Sequence, residues 1–429
     1  MALDRGRLAS YDALLLTAGI WFLAKFFRYA FPPLFPTFQA DFGLSNTLLG
    51  TAFSGMMIVY AAMQFPSGAL ADRFGSVRVI AAGAGITVAA GFLLTAGGTV
   101  PIPLLGTVAA LPVIIAGMVL VGAGTGAHKT VAIRLLSRIY PQRTGRALGA
   151  FDTFGTFGGV AAPAVVVALT DAAGWRVLFL GGGLFGLGLL AGFVWRVPRR
   201  LPDGDAPPGA GADGDGDGEG REDEDGTEEG RRAGGIGRYA RLFADPTFST
   251  FVGVNALFGF AYNGAVAFMV LFLVDATGLS SVTANLLFSV LFVVSVVQVA
   301  TGDLSDRLGE RLVMGATLAL AAAGLAGLLV ASGPVLAGVA VVAFGVGSHG
   351  FRPVRGAYLV QLVPDSVAGG SMGIVRTILM GSGAVSPAVV GALSDAVGYG
   401  AAFALLAASM AAAALAAGLL SRLGSSGTA

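Results

Sequence analysis

"MQFPSGALADRFGSVR", residues 63–78, and "VQVATGDLSDRLGERL", residues 297–312, are one segment written twice, 234 residues apart. Gln64 falls on Gln298, Gly68 on Gly302, Asp72 on Asp306, Arg73 on Arg307 and Gly75 on Gly309. Each copy is a short polar interruption between two long apolar runs, the pattern of a loop joining membrane helices. A second pair repeats at a similar spacing. "ALGAFDTFGTFGGVAAPAVVVALTDAAGW", residues 147–175, matches "SMGIVRTILMGSGAVSPAVVGALSDAVGY", residues 371–399, at an offset of 224, setting Pro163 on Pro387 and Asp171 on Asp395. The chain therefore reads as two equivalent halves.

Composition says where those halves reside. Of the 429 residues, 55% are hydrophobic and 12% charged, and the mean hydropathy is +0.79. Soluble domains carry about 25% charged residues. The apolar blocks run to about 20 residues without alternation, which indicates membrane helices rather than a membrane barrel. The absence of cysteine excludes a disulfide framework and thiolate metal sites. The first apolar run begins near Tyr11 with no A-x-A-like cleavage site, so it reads as a retained helix rather than a signal peptide.

A hydropathy walk gives twelve spans: 11–34, 47–71, 77–97, 108–138, 145–170, 175–196, 247–275, 281–304, 311–332, 335–363, 367–393 and 398–421. The expected fold is an all-α integral membrane protein of twelve transmembrane helices in two pseudo-symmetric six-helix halves, 1–197 and 242–429. Between them, residues 198–241 hold twelve of the 25 acidic residues among many glycines and too few apolar side chains to fold, so they read as a disordered linker. Arg73, Arg78, Arg138, Arg143, Arg146, Arg307 and Arg311 fall in one set of loops, together with the linker and terminal arginines, while the opposite set holds Arg176 alone. By the positive-inside rule both termini and the linker are cytoplasmic, in the cytoplasmic membrane. Two six-helix halves joined by a polar linker form the parallel-repeat plan of a secondary transporter, with its substrate site between the halves.

On these residues the chain resembles the major facilitator superfamily. "GALADRFGSVR" is similar to that family's signature loop between helices 2 and 3, and "GDLSDRLGERL" to its weaker copy between helices 8 and 9. The resemblance implies that Gly68 lets two helices approach closely. It further implies that Asp72 and Arg73 form a charge cluster latching the outward-open state, with Arg138 and Arg146 as partners of the latch. Gly75, Gly302, Asp306, Arg307 and Gly309 complete the paired signature loops. The resemblance also implies rocker-switch alternation and a cavity lined by helices 1, 4, 7 and 10.

"GAGTGA", residues 122–127, and "GVGSHG", residues 345–350, imitate the dinucleotide fingerprint. Both lie inside apolar spans with no preceding strand, so their small residues serve helix packing. No catalytic constellation, cofactor motif, metal signature or nucleic-acid patch stands out, so the reading is a carrier rather than an enzyme. It is expected to act as a monomer in the bilayer.

Charges inside spans mark cavities or partners. Helix 1 carries Lys25 and Arg28, helix 4 His128 and Lys129, and helix 10 His349, Arg352 and Arg355. Lys129 corresponds to Arg352 at an offset of 223. Helix 7 adds the neutral polar residues Asn255, Tyr262 and Asn263. No carboxylate falls near the midpoint of helices 1, 4, 7 or 10, and Asp152 in helix 5 lies toward the cytoplasmic end. Cations without counter-charges favour an anionic solute, an organic acid or organophosphate moved by symport or exchange with a proton or counter-anion. "FLAKFFRYAFPPLF" is loosely similar to the substrate-cation segment of organophosphate exchangers in this superfamily. A carrier for drugs, sugars or other neutral solutes is the alternative reading.

Overall fold

The computed structural model describes residues 11–96, 101–102, 106–107, 110–201, 242–362 and 368–423. The linker expected over 198–241 begins with a short 3-10 turn, Val197–Arg200, and from residue 202 lies outside the described residues. The first six long helices are α1 (Asp12–Phe42), α2 (Asn46–Phe74), α3 (Ser76–Ala96), α4 (Ala110–Ile139), α5 (Thr144–Ala173) and α6 (Trp175–Arg196). The second six are α7 (Pro246–Leu271), α8 (Ser281–Leu308), α9 (Glu310–Val330), α10 (Gly333–Leu362), α11 (Ala368–Val397) and α12 (Tyr399–Leu423). Among the described residues twelve helices are long and apolar enough to cross a membrane, which makes this a multi-pass membrane protein. A two-residue antiparallel strand pair, Pro101–Ile102 with Gly106–Thr107, lies between α3 and α4.

The duplication is visible in the turns. Gly75 and Gly309 end the paired loops at φ +87° and +88°, a conformation that side chains with a Cβ rarely adopt. Packing repeats as well. In the first half α1 packs on α5, α4 on α2 and α3, and α3 on α6; in the second α7 packs on α11, α10 on α8 and α9, and α9 on α12.

Glycines make the α4 and α10 contacts possible. A Cβ on Gly122 or Gly126 would strike the backbone of α2 at Met56 or Tyr60, and one on Gly124 would strike α3 at Gly83. The counterparts Gly345 and Gly347 meet α8 and α9 in the same way. These are the glycines of the two false fingerprints.

One helix outran its expected end. The first span was expected to stop at Leu34, just after Pro32 and Pro33, yet α1 continues through Pro36 to a left-handed Gly43 cap. Neighbouring helices enclose it, with Phe27, Phe31, Phe35 and Phe38 fully buried along one face, and such packing tolerates proline in membrane helices. Phe35 meets Phe268 of the opposite half at 5.8 Å between centroids. The innermost helices are α1, α4, α7 and α10, with 67, 61, 78 and 56% of their apolar windows buried against 50% or less elsewhere.

Candidate functional site

The halves touch through α2 with α11, α5 with α8 and α1 with α7. On the arginine-poor face this seam is hydrogen-bonded. The Asp395 carboxylate accepts from the backbone N–H groups of Asn46 (3.1 Å) and Thr47 (2.7 Å) and from the Thr47 hydroxyl (2.6 Å). Tyr399 Oη donates to Asn46 Oδ1 at 2.6 Å, and the Ala388 N–H donates to Ser54 Oγ at 2.9 Å. The last bridge along the seam is Arg376 to Gln64 Oε1 at 2.7 Å. Beyond it, toward the arginine-rich face, Phe65 is 85% exposed and a Cβ on Gly68 would meet nothing within 4 Å. Among the described residues the hydrogen bonds between the halves thus end at Arg376 and Gln64, which leaves the arginine-rich side of the seam the more open one.

At the inner end of that opening lies a small cavity. Lys25 and Tyr29 reach it from α1, and His349 and Arg352 from α10. Thr156 and Gly159 of α5 and Phe292, Ser295 and Gln298 of α8 complete the wall. The cavity was expected to be walled by helices 1, 4, 7 and 10; α5 and α8 replace α4 and α7 here. The cause is local packing, since α5 lies directly on α8 and Tyr29 rests on Phe292 at 4.5 Å.

The cations divide into the committed and the uncommitted. Lys129 Nζ lies 3.3 Å from Asp152 Oδ1, so it is already neutralised inside its own half. Arg28 donates to Thr125 Oγ1 at 3.1 Å and stacks 3.7 Å over the Tyr60 ring, which fixes it against α2 and α4 outside the cavity wall. Arg355 lies over Phe351 of its own helix, also outside the wall. Lys25 and Arg352 have no ion pair or hydrogen bond among the described residues. Each rests on an aromatic ring, Lys25 at 5.5 Å from the Trp21 centroid and Arg352 at 4.6 Å from that of Tyr262. No carboxylate lines the cavity among the described residues.

The histidines separate too. His128 is buried between Trp21 and Phe151, with Nε2 3.1 Å from the Thr17 carbonyl, and serves the first half's packing. His349 lines the cavity, 3% exposed, edge-on to Tyr262 and Phe292. The Leu291 backbone carbonyl is the one acceptor close to its ring, and the ring makes no other hydrogen bond among the described residues. The Tyr262 hydroxyl is buried and unpartnered. Asn255 and Asn263 turn back on their own helix, donating to the carbonyls of Phe251 and Gly259, and do not reach the cavity.

The signature loop departs from expectation in two ways. Asp72 pairs with Arg134 at 2.6 Å rather than with Arg138 or Arg146. Among the described residues nothing lies within 4 Å of a Cβ placed on Gly68 or Gly302, so neither glycine makes a close helix approach there. Arg73 lies over the neighbouring Phe74 ring, Arg146 is exposed, and Arg307 pairs with Asp303 one turn back while Asp306 stays exposed.

Sequence reasoning passed over Tyr29, Gln298, Arg376 and the Asp395 clamp. A signal was present for three of them. Gln64 and Gln298 are a repeat pair, and so are Asp171 and Asp395. At the same 224-residue offset Asp152 falls on Arg376, so the position that neutralises Lys129 in one half carries a cation in the other.

Known proteins agree with this architecture. A bacterial homologue of the human lysosomal transporter Spinster, solved in an inward-facing and unoccupied conformation, superposes with a TM-score of 0.69 at 18% identity, covering 97% of this chain and 96% of that one. The nucleoside transporter NupG (D323A mutant) superposes with a TM-score of 0.74 at 14% identity over 96% and 99% of the two chains. In sequence, the "Probable sulfoacetate transporter SauU" of Cupriavidus necator is 29% identical over 180 residues, 41% of this chain and 39% of that protein. The "Uncharacterized transporter YybO" of Bacillus subtilis is 31% identical over 185 residues, 42% of this chain and 39% of its own length. The matches thus span about two fifths of these curated relatives. The family model of the Major Facilitator Superfamily matches residues 17–344 and, overlapping them, 251–426, and the chain belongs to that family.

Proposed function

We propose that this protein is a secondary transporter that carries a small organic anion across the cytoplasmic membrane by alternating access. The observation behind the substrate class is the pair Lys25 and Arg352, which reach one cavity from opposite halves with no carboxylate in its wall. A central Lys or Arg costs about 2.5–3.5 kcal/mol on the insertion scale, less after relaxation. Lys129 offsets that cost with Asp152, whereas Lys25 and Arg352 have only the faces of aromatic rings. A bound anion supplies the missing counter-charge to both at once, and by contacting both halves it couples binding to their relative motion. The sulfoacetate named for the relative in Cupriavidus necator is a small organic anion, in keeping with this reading.

The arginine-rich face, with the termini and linker, is taken as cytoplasmic. On that orientation the conformer is inward-facing, sealed toward the outside by the α2–α11 seam. The test is counterflow into proteoliposomes with small anions, neutral sugars and cationic dyes. Anion exchange should fall at least about tenfold in Lys25→Ala and in Arg352→Ala, the loss of one charge-assisted contact. Exchange of neutral compounds alone, undiminished in both variants, would overturn the proposal.

A further inference from the structure

Asp152 stands one helical turn from the cavity, on its arginine-rich side. It lies four residues before Thr156, a wall residue whose hydroxyl donates to the Asp152 carbonyl at 3.1 Å. On α1, Lys25 lies one turn beyond Trp21, and the Trp21 indole touches α5 on either side of Asp152. Phe151 stacks on that indole at 5.8 Å, and a Cβ on Gly155 would strike it. Lys25 Nζ and Lys129 Nζ both lie 5.5 Å from the centroid of this one ring. Lys129 pairs with Asp152 Oδ1 at 3.3 Å, while the second carboxylate oxygen has no partner among the described residues and the side chain is 58% exposed. Of the charged groups that act on Lys25, Lys129, Arg352 and Arg28 are cations and Asp152 is a carboxylate.

A lysine stem of four flexible carbons can swing its ammonium through about 5 Å, one turn of helix. Lys25 therefore has two negative groups to choose between, an anion in the cavity and the free oxygen of Asp152. The choice matters when the halves close and water leaves, because an uncovered charge is then most costly. We infer that Asp152 stands in for the substrate in the unloaded carrier. Lys25 pairs with it while no anion is bound and turns back to the cavity when one arrives. The unloaded protein can then pass through the closed state, so it carries out net transport and is not confined to exchange. Arg352 has no such substitute, since the position equivalent to Asp152 is Arg376 in its half. The inference rests on the anion reading above and extends it to the mode of transport.

The test measures two rates on the reconstituted full chain with labelled malonate and sulfoacetate, the membrane potential being clamped with potassium and valinomycin. Exchange, with anion on both sides, uses loaded carriers alone, whereas efflux into anion-free medium requires unloaded ones to return. In Asp152→Asn the ratio of efflux to exchange should fall at least about tenfold, because Lys25 then meets the closed state uncovered. Asp152→Glu, which keeps the charge, should restore most of that ratio. Lys129→Met leaves both oxygens of Asp152 to Lys25 and should raise the KM for exchange about two- to fivefold, opposite in sign to Asp152→Asn. A pair that only braced α4 against α5 would move KM in one direction in both variants. An unmoved ratio in Asp152→Asn, KM shifts of one sign, or an unmodified protein that exchanges without net efflux would each overturn the inference while leaving the anion reading standing. Failure of the unmodified protein to exchange either anion, with neutral solutes still carried, would remove both.

Discussion

The seam at Asp395 sets the population of the conformer described here, and its removal has a calculable effect. The carboxylate accepts two backbone N–H bonds and one hydroxyl bond from the first turn of α2, where the unpaired N–H groups of a helix gather positive potential. Bonds at so exposed a site fall at the low end of their range, about 0.5 kcal/mol each. The helix-terminus contribution adds about 0.3–1 kcal/mol. Asp395→Ala should therefore cost this conformer about 2 kcal/mol, a roughly 30-fold change in the ratio of states. If about 97% of the molecules are sealed at this face, the variant should leave only about half of them so. Because the chain has no cysteine, spin labels can be placed at two chosen cysteines without background. Ala172 and Ala276 are exposed at this face on opposite halves, and a longer inter-label distance should gain population in Asp395→Ala. Thr47→Val, which removes only the hydroxyl bond, should shift the ratio about twofold. An unchanged distance distribution in Asp395→Ala would refute the clamp.

Asp72→Asn removes a pair in which both side chains are substantially exposed, so it should alter this conformer's stability by no more than about 1 kcal/mol. If Asp72 latches the opposite state, a cysteine-reactive probe should reach the cavity from the arginine-rich face more readily in that variant. Gly124→Leu drives a side chain into the α3 backbone and should lower stability by about 1–3 kcal/mol or more, read as a fall in melting temperature in detergent. Gly55→Ala, with open space at its Cβ, should leave the melting temperature unchanged. Asp152→Asn leaves the Lys129 charge uncompensated beside the indole that Lys25 also touches, and should lower the KM for an anion about two- to fivefold.

Most of the architecture is legible in the sequence because its causes are periodic. Twelve apolar runs and a 234-residue echo of one loop require twelve helices in two halves, and the described helix ends fall near the hydropathy limits. Where they differ, as beyond Leu34, tertiary enclosure outweighs the local signal of the Pro32–Pro33 pair and Pro36. The site is legible only in its residue types. Hydropathy sets the depth of a charged side chain along a helix but not its direction around the axis. Lys25, Arg28, Lys129 and Arg352 therefore looked alike until the partners Thr125, Tyr60 and Asp152 separated them. Those partners lie on other helices, 23 to 97 residues away, and no local pattern reports them.

On the anion reading, the charge reversal between Asp152 and Arg376 bears on where a substrate is held, and it can be undone. The duplicated position supplies an anion to Lys129 in the first half and a cation near Arg355 in the second, where Arg376 instead donates across the seam to Gln64. With a carboxylate at 376 the second half would copy the first, and a negative group would stand among its helix 10 cations where no other carboxylate competes. Arg376→Asp should then depress anion exchange by at least about tenfold, the cost of losing one charged contact to an internal rival. Arg376→Gln separates that effect from the seam, since its amide can still donate to Gln64 while bringing no negative charge, and it should retain most of the exchange. Equal exchange by Arg376→Asp and the unmodified protein would mean that the unmatched cations of the second half do not hold the substrate.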